Sequence, residues 1–157
     1  ASEVEVKEKK DRVDDALHAT RAAVKEGIVT GGGVTLVNLA DELKTNHKDS
    51  AVNAGYQIVK NALKTPFVTI MENAGLNAQA LLAQVEAAKP GFGINVMKPE
   101  EGIVDLKKAG VIDPARVTRE AVQNAVSIAA TTITMGALIV DIPEKESPAT
   151  PDMGGMY

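Results

Sequence analysis

Apolar residues recur at helical spacing along most of the chain, and glycine, proline and short polar runs separate the periodic stretches. From Glu3 to about Lys25 the apolar positions Val6, Val13, Leu17 and Val24, filled in by Ala16 and Ala23, leave one modest stripe on a helix. Lys7 to Asp14 is nearly all charge, so the first half of that helix is expected to be solvated. Ser2-Glu3-Val4-Glu5 supplies a capping box at its start and Gly27 a stop at its end. A second helix follows the triple glycine, from Val34 to about Lys44, with Leu36, Val37, Leu39, Ala40 and Leu43 apolar. Past the polar break Thr45 to Ser50, the pattern predicts a helix from about Ala51 to Lys64. A separate one starts at Thr65-Pro66, with proline at the first helical position where no donor is lost, and ends near Gly75. Asn77 can cap a further helix from Ala78 to about Ala88, which Lys89-Pro90-Gly91 stops.

Gly91-Phe92-Gly93-Ile94-Asn95-Val96 alternates glycine with β-prone residues and reads as a small hairpin or turn. Glu101 to Ala109 reads as a short helix ended by Gly110. At Asp113-Pro114 a new helix restarts, with Asp113 as N-cap, a role worth roughly 1 kcal/mol. That helix, Pro114 to about Met135, carries Val117, Ala121, Val122, Ala125, Ile128, Ala129 and Ile133 on more than one face, which predicts a central place in a bundle. Ala137 to Ile142 is β-prone, is closed by Pro143 and has no hairpin mate nearby, so its expected partner is a strand of another subunit. The residues from Glu144 are proline, serine, threonine, glycine and charge, the composition of a disordered tail.

Composition sharpens this picture. At 157 residues the chain suits one domain, or a domain with an appendage, and 45% hydrophobic residues with 3% aromatics favour closely packed helices with small side chains. A net charge of -4 without an unopposed basic face argues against nucleic acid as a partner. The absence of cysteine excludes disulfides and thiolate metal sites and permits a cytoplasmic home. Ala125 to Val140 is broken by Ser127, Thr131, Thr132, Thr134 and Gly136 and falls short of a bilayer span, so no membrane segment is expected. No basic and apolar leader precedes the first helix, and residue 1 is Ala, which reads as a processed chain or a piece of a longer one. Asp14 and His18 share a helix face but are too few to hold a metal, and His47 lies in a polar loop. Met71, Met97 and Met135 read as core or turn fillers, and Arg116 and Arg119 as surface or interface pairs.

Candidate chemistry centres on Glu26-Gly27-Ile28-Val29-Thr30-Gly31-Gly32-Gly33. Three bare residues at a helix start serve equally as a tight interhelical turn or as a place where a ligand approaches the backbone. Asp15 by itself is an ordinary solvated helix carboxylate.

Taken together, Asp14-Asp15-Ala16-Leu17-His18-Ala19-Thr20-Arg21-Ala22-Ala23-Val24, the glycine run, Ile112-Asp113-Pro114-Ala115-Arg116-Val117-Thr118-Arg119, the stretch Leu138 to Pro143 and the Gly-Gly-Met tail resemble the group I chaperonins, the GroEL family. The resemblance implies a mainly α fold: a multihelical bundle of the chaperonin equatorial-domain type, with a small β-hairpin and one C-terminal β-strand. It implies an intermediate-domain helix over 1–26, the C-terminal half of an equatorial domain over 27–142 and a disordered tail over 143–157. Members of that family are much longer, and the apical domain and the phosphate loop have no counterpart here. The implied activity is ATP-dependent protein folding in a double ring, with ATP and Mg2+ as cofactors, homo-oligomeric ring subunits, and unfolded proteins and a co-chaperonin bound through the apical domain. Matched motif to motif, Asp15 falls on the hydrolytic carboxylate that orients the attacking water. Gly32 falls on the glycine against the nucleotide, Asp113 on the acceptor of ribose hydroxyls, and Asn95 on the asparagine at the adenine. The sequence departs from the family where Val96 and Met97 follow Asn95. Lacking the phosphate-binding half, the chain alone is expected neither to hydrolyse ATP nor to hold it tightly. The alternative is a stand-alone helical oligomerisation module derived from a chaperonin.

Overall fold

The computed structural model describes residues 2–142; the predicted tail, 143–157, lies outside the described residues. The Ser2 hydroxyl accepts the Glu5 amide, and the Glu5 carboxylate accepts the Ser2 amide at 2.8 Å, which satisfies two donors that a helix start leaves orphaned. The helix so begun, α1 (Glu3–Glu26), buries no residue and ends at Gly27, whose φ of 82° closes its last turn. A strand that the apolar pattern does not announce comes next, β1 (Ile28–Thr30). Gly31 to Gly33 then turn the chain into α2 (Val34–Glu42), with Gly33 as a left-handed N-cap.

The two helices expected on either side of Thr65 are one, α3 (Ser50–Asn73), capped by the Asp49 carboxylate and running through Pro66. Proline removes one donor and leaves the carbonyl four residues back without a partner. Here Pro66 and Ala62 both face solvent, so water can take up that carbonyl and the helix continues. Asn77 caps α4 (Ala78–Ala87), as its sequence predicts. The hairpin is present but wider than the expected 91–96: β2 (Phe92–Ile94) pairs antiparallel with β3 (Ile103–Asp105). The expected helix over 101–109 is not: a short 3-10 turn, Pro99–Glu101, leads into β3, because Ile103, Val104 and Asp105 continue a ladder that Phe92, Gly93 and Ile94 begin. The last elements are β4 (Ile112–Pro114) and α5 (Ala115–Ile133).

The core lies between α2, α3, α4 and the hairpin. Val34, Val37, Phe67, Met71, Ala78, Val85, Ile94 and Leu106 form one buried cluster, with no buried polar residue among those described. Gly93 makes this packing possible, since a Cβ there would stand 2.6 Å from Val34 Cγ2 and 2.9 Å from Leu106 Cδ1. Gly93→Ala is expected to lower unfolding free energy by about 1–3 kcal/mol. Val34→Ala in the same chain makes room, so urea titration of the double variant should show a loss smaller than the sum of the two single losses. Additive losses would mean that the two side chains do not compete for this space.

One expectation fails at the C-terminal end. The predicted central helix α5 buries no residue, and Val117, Val126, Ile128 and Ile133 stay at least half exposed. Its apolar residues spread around the cylinder, but among the described residues α1 and β4 are its main neighbours, and every residue from Gln123 to Ile133 is exposed. Leu138 to Ile142 forms no strand among the described residues and lies exposed, with Ile139 95% accessible; the partner expected for it is a strand of another subunit. Among the described residues no helix is long and apolar enough to cross a membrane.

Candidate functional site

β1 and β4 build the centre of the site. Ile28 pairs with Pro114, Val29 with Asp113 and Thr30 with Ile112, and the Gly31 amide continues the ladder by donating to the Val111 carbonyl at 3.0 Å. This register lays the glycine turn against Asp113. A Cβ on Gly31 would stand 3.2 Å from Asp113 Oδ1 and 3.1 Å from the Ile112 amide nitrogen, so only a bare residue fits without displacing the carboxylate. Gly32 is set by its backbone rather than by crowding: its φ is 65°, and its nearest neighbours, Val111 and Leu106, are at ordinary contact distance.

The N-cap role expected of Asp113 is not observed. Pro114 is the N-cap of α5 with no side-chain capping bond, and Asp113 lies one residue earlier in β4, because pairing with Val29 holds its backbone in the ladder. Its carboxylate is therefore left for something else. Burial pushes the Asp113 carboxyl above the usual range, and no hydrogen bond or positive neighbour offsets that. A folded-state value above the unfolded one means that the folded chain binds the proton more readily. This contribution to stability is complete at acid pH and is lost as pH rises through the folded-state value. Asp113→Asn should then raise the melting temperature at pH 7, with a gap to wild type that closes as the buffer is taken below pH 4. A gap that is constant with pH would exclude desolvation of Asp113 as its source.

Asn95 lies immediately after β2, where its Oδ1 accepts the Met97 amide at 3.1 Å and its carbonyl accepts the Lys98 amide at 2.9 Å. Val96 packs against the core while Met97 is 84% exposed, so the two residues that depart from the family pattern divide between anchor and open surface. Leu106 connects this hairpin to the glycine turn, since its side chain borders both Gly32 and Gly93.

Asp15 is exposed on α1 and lines a cleft of about 620 Å³ together with His18, Lys25, Pro114, Arg116 and Glu120. The structure thus sets Asp113 beside Gly31, joins Gly32 to the hairpin that precedes Asn95 through Leu106, and places Asp15 across a cleft whose far wall includes Pro114. Among the described residues no group of three or more His, Cys, Asp or Glu could hold a metal ion.

Sequence reasoning placed Arg116 and Arg119 in surface pairs but missed their shared partner, Glu26. Arg119 donates to both Glu26 carboxylate oxygens, at 2.6 and 3.3 Å, and Arg116 Nε lies 3.8 Å from the same group and 2.7 Å from Glu120. The Gly27 carbonyl also accepts the Ala115 amide at 3.1 Å. These contacts fix the end of α1 to the start of α5 at Gly27. Local sequence gave no signal for this, because Glu26 and Arg119 are far apart in the chain.

The TCP-1/cpn60 chaperonin family matches residues 1–143. Among solved structures, a group III chaperonin crystallised in the open state is similar over 75% of this chain, with a TM-score of 0.69 and 28% identity. The chain spans 25% of the length of that relative. A match over nearly the whole chain, joined to a shared helical fold over three quarters of it, makes this protein a member of the TCP-1/cpn60 chaperonin family.

Proposed function

We propose that this chain is the C-terminal segment of a group I chaperonin subunit, in which ATP binding and hydrolysis drive protein folding inside a double ring in the cytoplasm. In this reading residues 1–26 are the returning intermediate-domain helix and 27–142 the second half of the equatorial domain. The observation that carries it is the β1–β4 ladder, which seats the bare Gly31-Gly32 turn against an unpartnered, partly desolvated Asp113 carboxylate. A bare turn accepts a ligand at its backbone, and a carboxylate without donors of its own can accept two hydroxyls, which is what a nucleoside sugar offers. Asn95 supplies an amide at the edge of the same surface, for the base. Asp15, across the cleft, would hold and orient the attacking water at the terminal phosphate, since phosphoryl transfer depends chiefly on positioning and electrostatics.

The residues fit one part of the nucleotide and not the rest. They provide for sugar and base, but no phosphate cradle and no cluster of metal ligands is found among the described residues, so Mg2+ would take its ligands from elsewhere in the subunit. Neighbouring ring subunits, unfolded proteins and a co-chaperonin belong to the parent assembly in the same way.

The isolated chain is therefore expected neither to hydrolyse ATP nor to bind it with micromolar affinity, because half a site lacks the preorganised contacts to the phosphates. Calorimetry that returned a micromolar Kd would overturn this. An in-frame apical domain and phosphate loop encoded upstream of Ala1 would establish the segment directly. The rival reading, a self-associating helical module, draws on the exposed apolar residues of α5 and of Leu138 to Ile142. Light scattering separates the two: a monodisperse small oligomer favours the module, and aggregation or a loosely packed monomer the segment.

A further inference from the structure

On the surface read above as nucleotide-contacting, one side chain ties its two halves together. Val34 and Asn38 are one helical turn apart on α2 and both face the hairpin, Val34 against Gly93 and Asn38 against Gly91. Asn38 Oδ1 accepts the Gly91 amide at 3.0 Å, across 53 residues of sequence, in a half-buried position. The Gly91 carbonyl in turn accepts the Leu106 amide at 3.2 Å, the Leu106 carbonyl accepts the Val111 amide at 2.8 Å, and the Val111 carbonyl accepts the Gly31 amide at 3.0 Å. Gly31 leads back into α2, where the Thr35 hydroxyl donates to the Thr30 carbonyl at 2.7 Å. The circuit from α2 through the hairpin and β4 back to the glycine turn is thus continuous. Asn38 makes the one side-chain hydrogen bond from α2 to the root of the hairpin among the described residues.

We propose that Asn38 is a positioning residue that fixes the distance between the Gly32–Asp113 half of the surface and the Asn95 half. A half-buried amide left without its acceptor loses the equivalent of a full hydrogen bond, and the hairpin root has no second side-chain bond to α2 to keep its place. The φ of 86° at Gly91 and a Cβ position only 3.5 Å from the Thr30 hydroxyl place the end of β1 directly beside it, so release of Gly91 loosens the approach to the glycine turn as well.

The coupling rests on the nucleotide reading for its meaning but not for its test. The 157-residue chain is labelled for amide-resolved NMR and compared as wild type, Asn38→Leu and Asn38→Asp. Leucine keeps the bulk and removes the acceptor, and aspartate keeps an acceptor. Asn38→Leu is expected to reduce exchange protection at Gly91 and Leu106 by roughly tenfold and to move the Gly32 and Asn95 amide resonances together, with α1 undisturbed. Asn38→Asp should restore both. A millimolar adenosine diphosphate titration forms the second arm: the wild type should respond at Gly32 and Asn95 together, and Asn38→Leu should weaken the Asn95 response several-fold relative to Gly32. The proposal is overturned if Asn38→Leu leaves Gly32 and Asn95 in place, if only general unfolding is seen, or if aspartate does not rescue. If the variants shift Gly32 and Asn95 as expected but the wild type ignores the nucleotide, the coupling stands and the nucleotide reading falls.

Discussion

Gly33→Ala is expected to leave the chain largely unfolded at room temperature. Gly33 is the N-cap of α2 with a φ of 76°, a conformation that costs a side-chain-bearing residue about 1–2 kcal/mol. Steric overlap costs more. A Cβ there would stand 2.7 Å from the backbone nitrogen of Phe67 and 2.8 Å from its Cα, so the obstacle is the backbone of α3 and no rotamer change removes it. Relief requires α2 and α3 to separate where Val34, Val37 and Phe67 are fully buried, each of which contributes about 1.5–3 kcal/mol by leaving water. A total above about 4 kcal/mol is expected, comparable to the whole stability of a small domain. Gly75→Ala is the control. Its φ of 73° carries the same conformational penalty, but nothing lies within 4 Å of the added methyl, so a loss of about 1 kcal/mol is expected. Urea denaturation followed by circular dichroism reads both, and equal midpoints for the two variants would mean that the close approach of α2 to α3 is not real.

The features legible in the sequence are those that short-range chemistry determines. The Ser2 capping box, the Asn77 cap and the Gly27 stop each depend on a few consecutive residues, and all stand where the sequence puts them. Pro66 misled because its local rule is conditional: a helix can run through proline where solvent takes up the orphaned carbonyl, and exposure is not a local property. The strands β1 and β4 are too short to show alternation, and each exists because the other does. That pair decides the site. Gly31 and Asp113 are visible separately as a bare turn and a cap-like carboxylate, yet only the ladder shows that they touch and that Asp113 is not a cap. The misplacement of α5 has a related cause: an apolar surface predicts that something covers it, not that this chain does.

On the proposed reading, Asp15→Asn in the completed subunit lowers ATP turnover by about a hundredfold while nucleotide affinity changes less than about threefold. Asparagine keeps the size and the hydrogen-bonding reach of the side chain but not the negative charge or the second acceptor oxygen that holds a water for in-line attack. The effect belongs to turnover because Asp15 lies on α1, across the cleft from the Asp113 surface that would bind sugar. Asp14→Asn is the matched control: it removes a neighbouring charge from a residue that does not line the cleft, and turnover should stay within about twofold. Geometry adds a second variant. If α1 turns at Gly27, the pivot lies 12 residues after Asp15, or roughly 18 Å of helix at the standard rise. A change of about 10° at the pivot therefore moves the carboxylate by about 3 Å, against a tolerance nearer 1 Å for a positioned catalytic group. Glu26, held by Arg119 and approached by Arg116, sets that angle. Arg119→Ala should thus reduce turnover about tenfold with little loss of stability, since exposed ion pairs contribute less than about 1 kcal/mol. Phosphate release and nucleotide titration measured on the same preparations check all three variants. Turnover in Asp15→Asn within threefold of wild type removes Asp15 from the hydrolytic role, and an Arg119→Ala variant that unfolds rather than slows removes the pivot argument.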